Sequence, residues 1–240
     1  MKVVSFGRNC EQYIENHMES LREQIYQDFQ HIIVDDNSTD NTVRELMRHK
    51  GPNDIIHTNT TRKYWIENAK QFLKPDDAEI VVIVDLDDWL ADDHALQLVS
   101  DKYEGNPDVW MTYSRMWYLG LRQSSHWIPT YNDDVLENRS FRNTIWSYTH
   151  LRTFKGFLWN ALKDEDLRDL KGNYLKYAWD AAVCMPMLEM SAPDHIGFIP
   201  EILYVYNDQN PNQVEKNCRR DQELCAAYIR SKPKYPKLER

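Results

Sequence analysis

The run Glu79-Ile80-Val81-Val82-Ile83-Val84-Asp85-Leu86-Asp87-Asp88 decides the fold. From Ile80 to Val84 every residue is apolar and β-branched, with no alternation of wet and dry positions. A strand with one solvated face alternates, whereas a continuous run is buried on both faces, as in the centre of a parallel sheet. In open α/β sheets ligands bind outside the carboxyl ends of the strands. There this run turns into three aspartates with no lysine or arginine among them. Like charges this close repel. Mg2+ or Mn2+, which takes one or two carboxylates together with phosphate oxygens, relieves the repulsion. If the strand persists to Asp87, Asp85 and Asp87 point to one side. Taken alone, the cluster is better explained as a solvated acidic turn capping a helix that begins near Asp92.

Outward from this strand, short β-rich runs alternate with helical patterns. Lys2 to Phe6, His31 to Val34, Asp54 to His57 and Val109 to Tyr113 read as strands. Glu11 to Gln27 reads as a helix with Ile14, Met18, Leu21 and Ile25 on one face. Asn41 to Lys50 reads as a second, with Thr42 and Glu45 spaced as a capping box and Val43, Leu46 and Met47 as its buried side. Tyr64 to Leu73 and Asp92 to Tyr103 continue the series, the latter with Leu96, Val99 and Tyr103 aligned. The alternation predicts an α/β fold with a mostly parallel, Rossmann-like central sheet flanked by helices. The second half is less regular. Ala178 to Glu189 is helical in pattern, Ile202 to Tyr206 reads as a strand, and Gln213 to Ser231 reads as a last helix with Cys218, Leu224, Cys225 and Tyr228 on its apolar side. Lys232 to Lys237, basic and broken by proline, reads as an exposed tail.

The chain has 240 residues, 38 acidic and 29 basic side chains, and a net charge of −9. A general nucleic-acid binder needs a basic face, so nucleic acid is excluded as a partner. With 42% hydrophobic and 12% aromatic residues the chain can bury a substantial core. Its longest apolar stretches are about five residues, against the ~18 of a membrane span. The apolar part of Met1 to Ser5 is too short for a signal peptide. The four cysteines form no CxxC pair and read as reduced thiols. Together these predict a soluble, cytoplasmic protein. Residues 216–240 hold eight basic and three acidic side chains. Such an end can touch an anionic membrane surface, but a solvated helix and tail is the expected reading.

A second acidic cluster, Val34-Asp35-Asp36-Asn37-Ser38-Thr39-Asp40, follows the second strand. A carboxylate at a strand end can accept from the N3–H of uracil, and the helix N-terminus beyond offers backbone donors to an anion. Taken alone, Asp, Asn, Ser and Thr here describe a strand-to-helix turn.

Together the two clusters carry a resemblance. Val34 to Thr42, Val84-Asp85-Leu86-Asp87-Asp88-Trp89-Leu90, the opening strand followed by Asn9-Cys10-Glu11-Gln12-Tyr13-Ile14, Leu151 to Lys155, Trp179-Asp180-Ala181-Ala182 with Met185 to Met190, and Ile202 to Asn207 recur in the order found in family 2-type glycosyltransferases with the GT-A fold. The resemblance spans roughly residues 2 to 212. It implies a catalytic domain over 1–212, with a nucleotide-binding half near 1–110 and an acceptor half near 111–212, then a helix and basic tail over 213–240. It also implies a metal-dependent, inverting transfer of a hexosyl or pentosyl group. The donor would be a nucleotide-diphosphate sugar, UDP first, and the acceptor a hydroxyl of a glycan or glycoconjugate. Asp36 would bind the base and Phe6 to Arg8 would line its pocket, where family members often carry a small hydroxyl residue and a tyrosine. Asp85 and Asp87 would form the DxD that holds Mn2+ or Mg2+, with Asp88 sharing the task. Arg62 would help hold the nucleotide, His150 and Arg152 would contact diphosphate or acceptor, and Asp180 would be the general base.

Trp110, Tyr113, Trp117, Tyr118, Trp127 and Tyr131 can stack on sugar rings, although any single one is better read as core. His195 offers a late metal ligand but reads more simply as a loop histidine, and Cys218 and Cys225, two helical turns apart, read as facing the core. A sugar-nucleotide pyrophosphorylase would need a glycine-rich loop after the first strand, and the chain has only seven glycines. A phosphotransferase with a nucleophilic aspartate would carry its DxD after the first strand rather than a later one. A catalytically inactive sugar-nucleotide or glycan-binding protein of the same fold is the remaining alternative.

Overall fold

The computed structural model describes residues 1–212 and 217–240. Its frame is a nine-stranded sheet in the order β3-β2-β1-β4-β8-β6-β9-β5, with β7 paired to the end of β6 off this path. The strands are β1 (Lys2–Gly7), β2 (Gln30–Asp35), β3 (Asp54–Thr58), β4 (Ile80–Ile83), β5 (Trp89–Leu90), β6 (Met111–Tyr118), β7 (Gln123–Ser124), β8 (Arg152–Lys155) and β9 (Ile196–Tyr206). β3, β2, β1 and β4 run parallel, joined by α1 (Ile14–Arg22), α2 (Thr42–His49) and α3 (Tyr64–Phe72). β8 enters antiparallel between β4 and β6, and β9 lies parallel to β6 over eight paired residues with a bulge near Arg115. The remaining helices are α4 (Ala95–Gly105), α5 (Asp133–Asn138), α6 (Gly156–Asn160), α7 (Trp179–Ser191) and α8 (Arg219–Ser231).

The expected α/β class and mostly parallel sheet are found. Val81, Val82 and Ile83 are all buried, as a strand covered on both faces requires. β1 pairs Gly7 with Asp35 at the end of β2, so the two strands finish together at one edge. The acidic turn after β4 comes to the same edge. A β-carbon at Gly7 would overlap Leu86, so only glycine lets that turn close over the end of β1. Leu86 is itself sealed beneath it with Cys10, Ile14, Met18, Ile33 and Leu46.

Several local readings change. The helix expected over 11–27 is shorter: Ile14, Met18 and Leu21 are buried as predicted, but Ile25 lies beyond α1 and is 54% exposed. Met47 is 58% exposed and Val43 only partly covered, leaving Leu46 to anchor α2. The capping box does not form. Thr42 turns its hydroxyl to Asp40 Oδ1 at 2.6 Å and accepts the Cys10 N–H at 2.7 Å, while Glu45 pairs with Arg44 and Arg48. The strand read over 109–113 extends to Tyr118, and that read over 202–206 begins at Ile196. Residues 213–216 of the last expected helix lie outside the described residues. In α8, Ile229 is buried whereas Leu224 is exposed.

Residues 232–237 are largely exposed, as expected, but the segment is docked through one buried side chain. Tyr235 is buried, its N–H donates to Glu189 Oε2 at 2.9 Å and its hydroxyl to Asp166 at 2.7 Å. Glu189, fully buried on α7, also receives Arg142 through two bonds of 2.6 and 2.9 Å. Arg142 continues to the Ile229 carbonyl, so one ion pair ties α7, α8 and the tail. Among the described residues no helix is long and apolar enough to cross a membrane.

Removing one partner of a buried ion pair leaves an uncompensated charge and costs about 3–5 kcal/mol. Glu189→Ala should therefore lower unfolding stability by that amount in urea titration. A loss below about 1 kcal/mol would show that the pair does not hold the C-terminal segment.

Candidate functional site

One cleft of about 390 Å3 opens at the carboxyl edge of the sheet. Phe6, Arg8, Asp36, Arg62, Asp85, Asp87, Asp88, His150, Arg152 and Asp180 all line it. The structure thus brings together the ten residues given nucleotide, metal or base roles in the sequence, from positions up to 174 apart, Phe6 to Asp180.

The strand does not persist to Asp87. β4 ends at Ile83 and the chain turns, with the Asp88 N–H bonding the Asp85 carbonyl at 2.9 Å. This turn separates the three aspartates. Asp88 is buried and both its oxygens are taken, by the Tyr204 hydroxyl at 2.6 Å and the Asn207 N–H at 2.8 Å. Burial and the neighbouring Asp87 and Asp85 push its carboxyl well above the usual range. Asp85 and Asp87 keep their place in the cleft. Burial, then Asp87, raise the Asp85 carboxyl to about 7, with Arg152 opposing, Asp180 adding to the rise and the Trp65 indole N–H opposing it by donating to it. Asp87 is raised too, by burial, against a 2.7 Å bond from Asn210. Two desolvated carboxylates with one nearby cation form a donor set that a divalent ion would complete, with phosphate oxygens and water as further ligands. The described side chains that do lie close enough together to hold an ion unaided are Asp92, Asp93 and His94, exposed beyond the turn; their proximity is accounted for by hydrogen bonds from His94.

On the other wall Asp36 is buried and anchors residues 59–64. It accepts from the Lys63 N–H (2.8 Å) and Asn59 (3.0 Å) at Oδ1, and from the Tyr64 N–H (2.8 Å) at Oδ2. The Arg62 guanidinium lies 4.0 Å from Oδ2 and 4.2 Å over the Tyr64 ring. Arg8 donates to the Asn37 carbonyl at 3.1 Å, and Phe6 packs on Trp65 at 5.3 Å.

Asp180 stands in the first turn of α7. Its Oδ1 accepts the Ala181 N–H at 2.9 Å and its Oδ2 faces Arg152 at 3.4 Å. Arg152 is buried, held by the Tyr148 carbonyl at 3.0 Å and by the rings of Trp179 and Trp146 at 5.5 and 5.9 Å. His150 is buried, and neither ring nitrogen has a hydrogen-bond partner among the described residues. Burial and Arg152 hold it neutral.

Sequence reading missed Trp65. It stacks on Trp179 at 3.9 Å and 7°, so one indole touches the acidic turn through its N–H and the neighbour of Asp180 through its face. No spacing in the sequence signals this, because the two tryptophans meet only through the sheet. Asn210 and Tyr204 were likewise invisible as supports of the turn. The six aromatics proposed for sugar stacking divide: Trp110, Tyr113 and Tyr131 are core, whereas Trp117 and Trp127 are exposed and Tyr118 is half-buried. His195 stacks on Trp110 at 3.7 Å and bonds the Asp108 carbonyl; it does not line the cleft.

The sequence matches the family model described as Glycosyl transferase family 2 over residues 3–156, more than half of the chain. No curated protein matches it significantly by sequence. Among solved structures, TarS of S. aureus (residues 1–349) is similar with a TM-score of 0.65 at 20% identity, over 86% of this chain and 60% of that one. The mannosyltransferase PcManGT of Pyrobaculum calidifontis, in complex with GDP-Man and Mn2+, gives 0.64 at 18% identity, over 98% and 65%. Glucosyl-3-phosphoglycerate synthase of Mycobacterium tuberculosis, in complex with Mn2+, UDP and glucosyl-3-phosphoglycerate, gives 0.58 at 14%, over 95% and 78%. The chain thus spans about three fifths of the TarS fragment's length.

Behind the acidic turn, buried His17 bonds the Asp88 carbonyl at 2.7 Å while its Nε2 has no partner among the described residues. Burial, then His31, lowers its pKa from 6.5 to about 3. Above pH 6.5 the ring is neutral folded or unfolded. Below it the unfolded chain takes up a proton that the folded chain refuses, so stability falls by up to about 1.4 kcal/mol per pH unit. Between pH 7.5 and 5.0, His17→Gln should lose about 2 kcal/mol less unfolding free energy than the wild type in paired urea titrations. Equal losses would refute the assignment.

Proposed function

Since the chain belongs to glycosyl transferase family 2, we propose that it transfers a sugar from a nucleotide-diphosphate donor, UDP-linked first, to a hydroxyl of a glycan or glycoconjugate, with inversion. The observation that supports this reading most is the shared cleft: Asp36, the Asp85–Asp87 pair and Asp180 line a single cavity. Solved relatives that bind UDP-GlcNAc, GDP-Man or UDP-glucose, some with Mn2+, share the fold.

Asp36 meets the base. A carboxylate has about four acceptor positions, and three N–H groups already occupy Asp36, which leaves one for an imide N–H such as that of uracil. Phe6 and Arg8 line this end, and Arg62 supplies a cation beside it. Asp85 and Asp87 would hold Mn2+ or Mg2+. When bound, the ion neutralises the charge that grows on the departing diphosphate. Asp88 backs this pair, each of its oxygens accepting one bond from the fold, from the Tyr204 hydroxyl and the Asn207 N–H. Arg152 offers buried positive charge to the donor and holds Asp180 in place. Asp180 takes the proton from the acceptor hydroxyl as the new bond forms. The acceptor oxygen attacks the anomeric carbon once, from the face opposite the nucleoside diphosphate, which departs as its C–O bond breaks, and the configuration inverts. The four cysteines are unpaired, in keeping with a cytoplasmic setting.

A true donor with metal stabilises the folded state by mass action, about 2.7 kcal/mol at a hundredfold excess over Kd. A thermal-shift screen of UDP- and GDP-sugars with Mn2+ should therefore raise Tm for at least one donor, and Asp36→Ala should abolish the rise. Asp180→Asn should keep that shift and lose at least a hundredfold in turnover. Turnover near wild type in Asp180→Asn would remove Asp180 as the base. A screen without any shift would remove the donor site.

A further inference from the structure

We propose that Trp127 and Tyr118 form an acceptor subsite, a stacking shelf for one pyranose ring of a glycan at the mouth of the cleft. The sugar class rests on the glycosyl-transfer reading above, whereas the shelf rests on geometry of its own. Trp127 is 62% exposed, although burying an aromatic ring is among the largest gains open to a side chain. Its indole lies nearly parallel to Tyr118, with centroids 6.0 Å apart at 29°. Tyr118 lines the cleft and meets Tyr206 edge-on at 5.6 Å, and Tyr206 in turn reaches His150 at 5.8 Å. A line of rings thus runs from solvent at Trp127 to the interior of the cleft that holds Asp180.

The exposure of Trp127 does not come from a slack loop. Arg115 Nη1 donates to the carbonyls of Ser125 and Ile128, at 3.1 and 2.6 Å, on either side of the tryptophan. The Met116 N–H donates to the buried Ser125 hydroxyl at 3.0 Å, and the Ile128 N–H closes the turn on the Ser125 carbonyl at 2.9 Å. Arg115 is itself seated 4.9 Å over the Phe198 ring. Four hydrogen bonds hold a large apolar ring in water beside a substrate cleft. A pyranose suits such a shelf, because its axial C–H bonds present an apolar patch to the ring face while its equatorial hydroxyls stay solvated at the edge. A preorganised aromatic face gains this contact without first ordering itself.

The test is a glycan array of pyranose oligosaccharides probed with the whole protein in the presence of UDP and Mn2+. At least one glycan should bind the wild type. Trp127→Ala should weaken that binding at least tenfold and Trp127→Phe by about threefold, with Tm and the UDP-dependent thermal shift unchanged. An exposed residue leaves the fold intact on substitution, and Tm confirms it. Array binding by Trp127→Ala equal to wild type overturns the shelf, as does a wild type that binds no glycan while still shifted by UDP. Absence of any shift of the wild type with UDP, GDP or their sugars would instead sink the donor reading, so the two failures are distinguishable.

Discussion

The buried carboxylate of Asp88 is the constraint on which the site depends. Taking a carboxylate out of water is costly unless every oxygen finds a donor, and here the Tyr204 hydroxyl and the Asn207 N–H meet that need. The same phenol oxygen accepts the Asp85 N–H at 3.1 Å, so one side chain of β9 holds both ends of the acidic turn. β9 must therefore reach the carboxyl edge. It does so by running eleven residues beside β6, bulging midway, and pairing its end with β5. With the turn held in this way, Asp85, Asp87 and Asp88 all reach the lining of the cleft.

The two walls of that cleft come from different parts of the sheet, the parallel β1–β4 set on one side and β6, β8 and α7 on the other. The β4–β8 ladder joins them at the floor, and across the cleft their contact is aromatic and cationic. Trp65 of α3 stacks on Trp179 of α7, and Arg152 of β8 sits over Trp179 and Trp146. An aromatic pair contributes about 0.5–1.5 kcal/mol beyond its buried area, enough to fix the distance between the walls while leaving the fold's stability to its larger core.

The parallel strands β1, β2 and β4 were legible because each carries a continuous apolar run, whereas β5, β7 and β8, which are two to four residues long, were not read as strands. The acidic clusters were legible because carboxylates crowded at two strand ends repel one another, and a bound cation or base relieves the cost. The supports were not. Trp65 meets Trp179, and Tyr204, Asn207 and Asn210 meet the acidic turn, only across long stretches of chain. The separation between Asp85 and Tyr204 is 119 residues, and no local period encodes such a meeting. Ile25 and Met47 were misplaced because periodicity continues past the point where a neighbour exists to cover it. The docking of Tyr235 in the C-terminal segment was missed for a related reason. Its lysines and prolines look solvated, and only the carboxylate of Glu189, buried in an otherwise apolar helix, reveals where Tyr235 docks. The bonds that set Asp88 apart from its neighbours were not legible, because adjacent aspartates look interchangeable until the Tyr204 hydroxyl and the Asn207 N–H single one out.

The face-to-face tryptophans have an optical consequence. Two indoles 3.9 Å apart and nearly parallel share their electronic excitation, so the cleft carries a chromophore that neither ring has alone. Its circular dichroism and emission depend on the angle between the rings. The protein therefore reports the separation of its own two walls, without a label, in whatever state it is held.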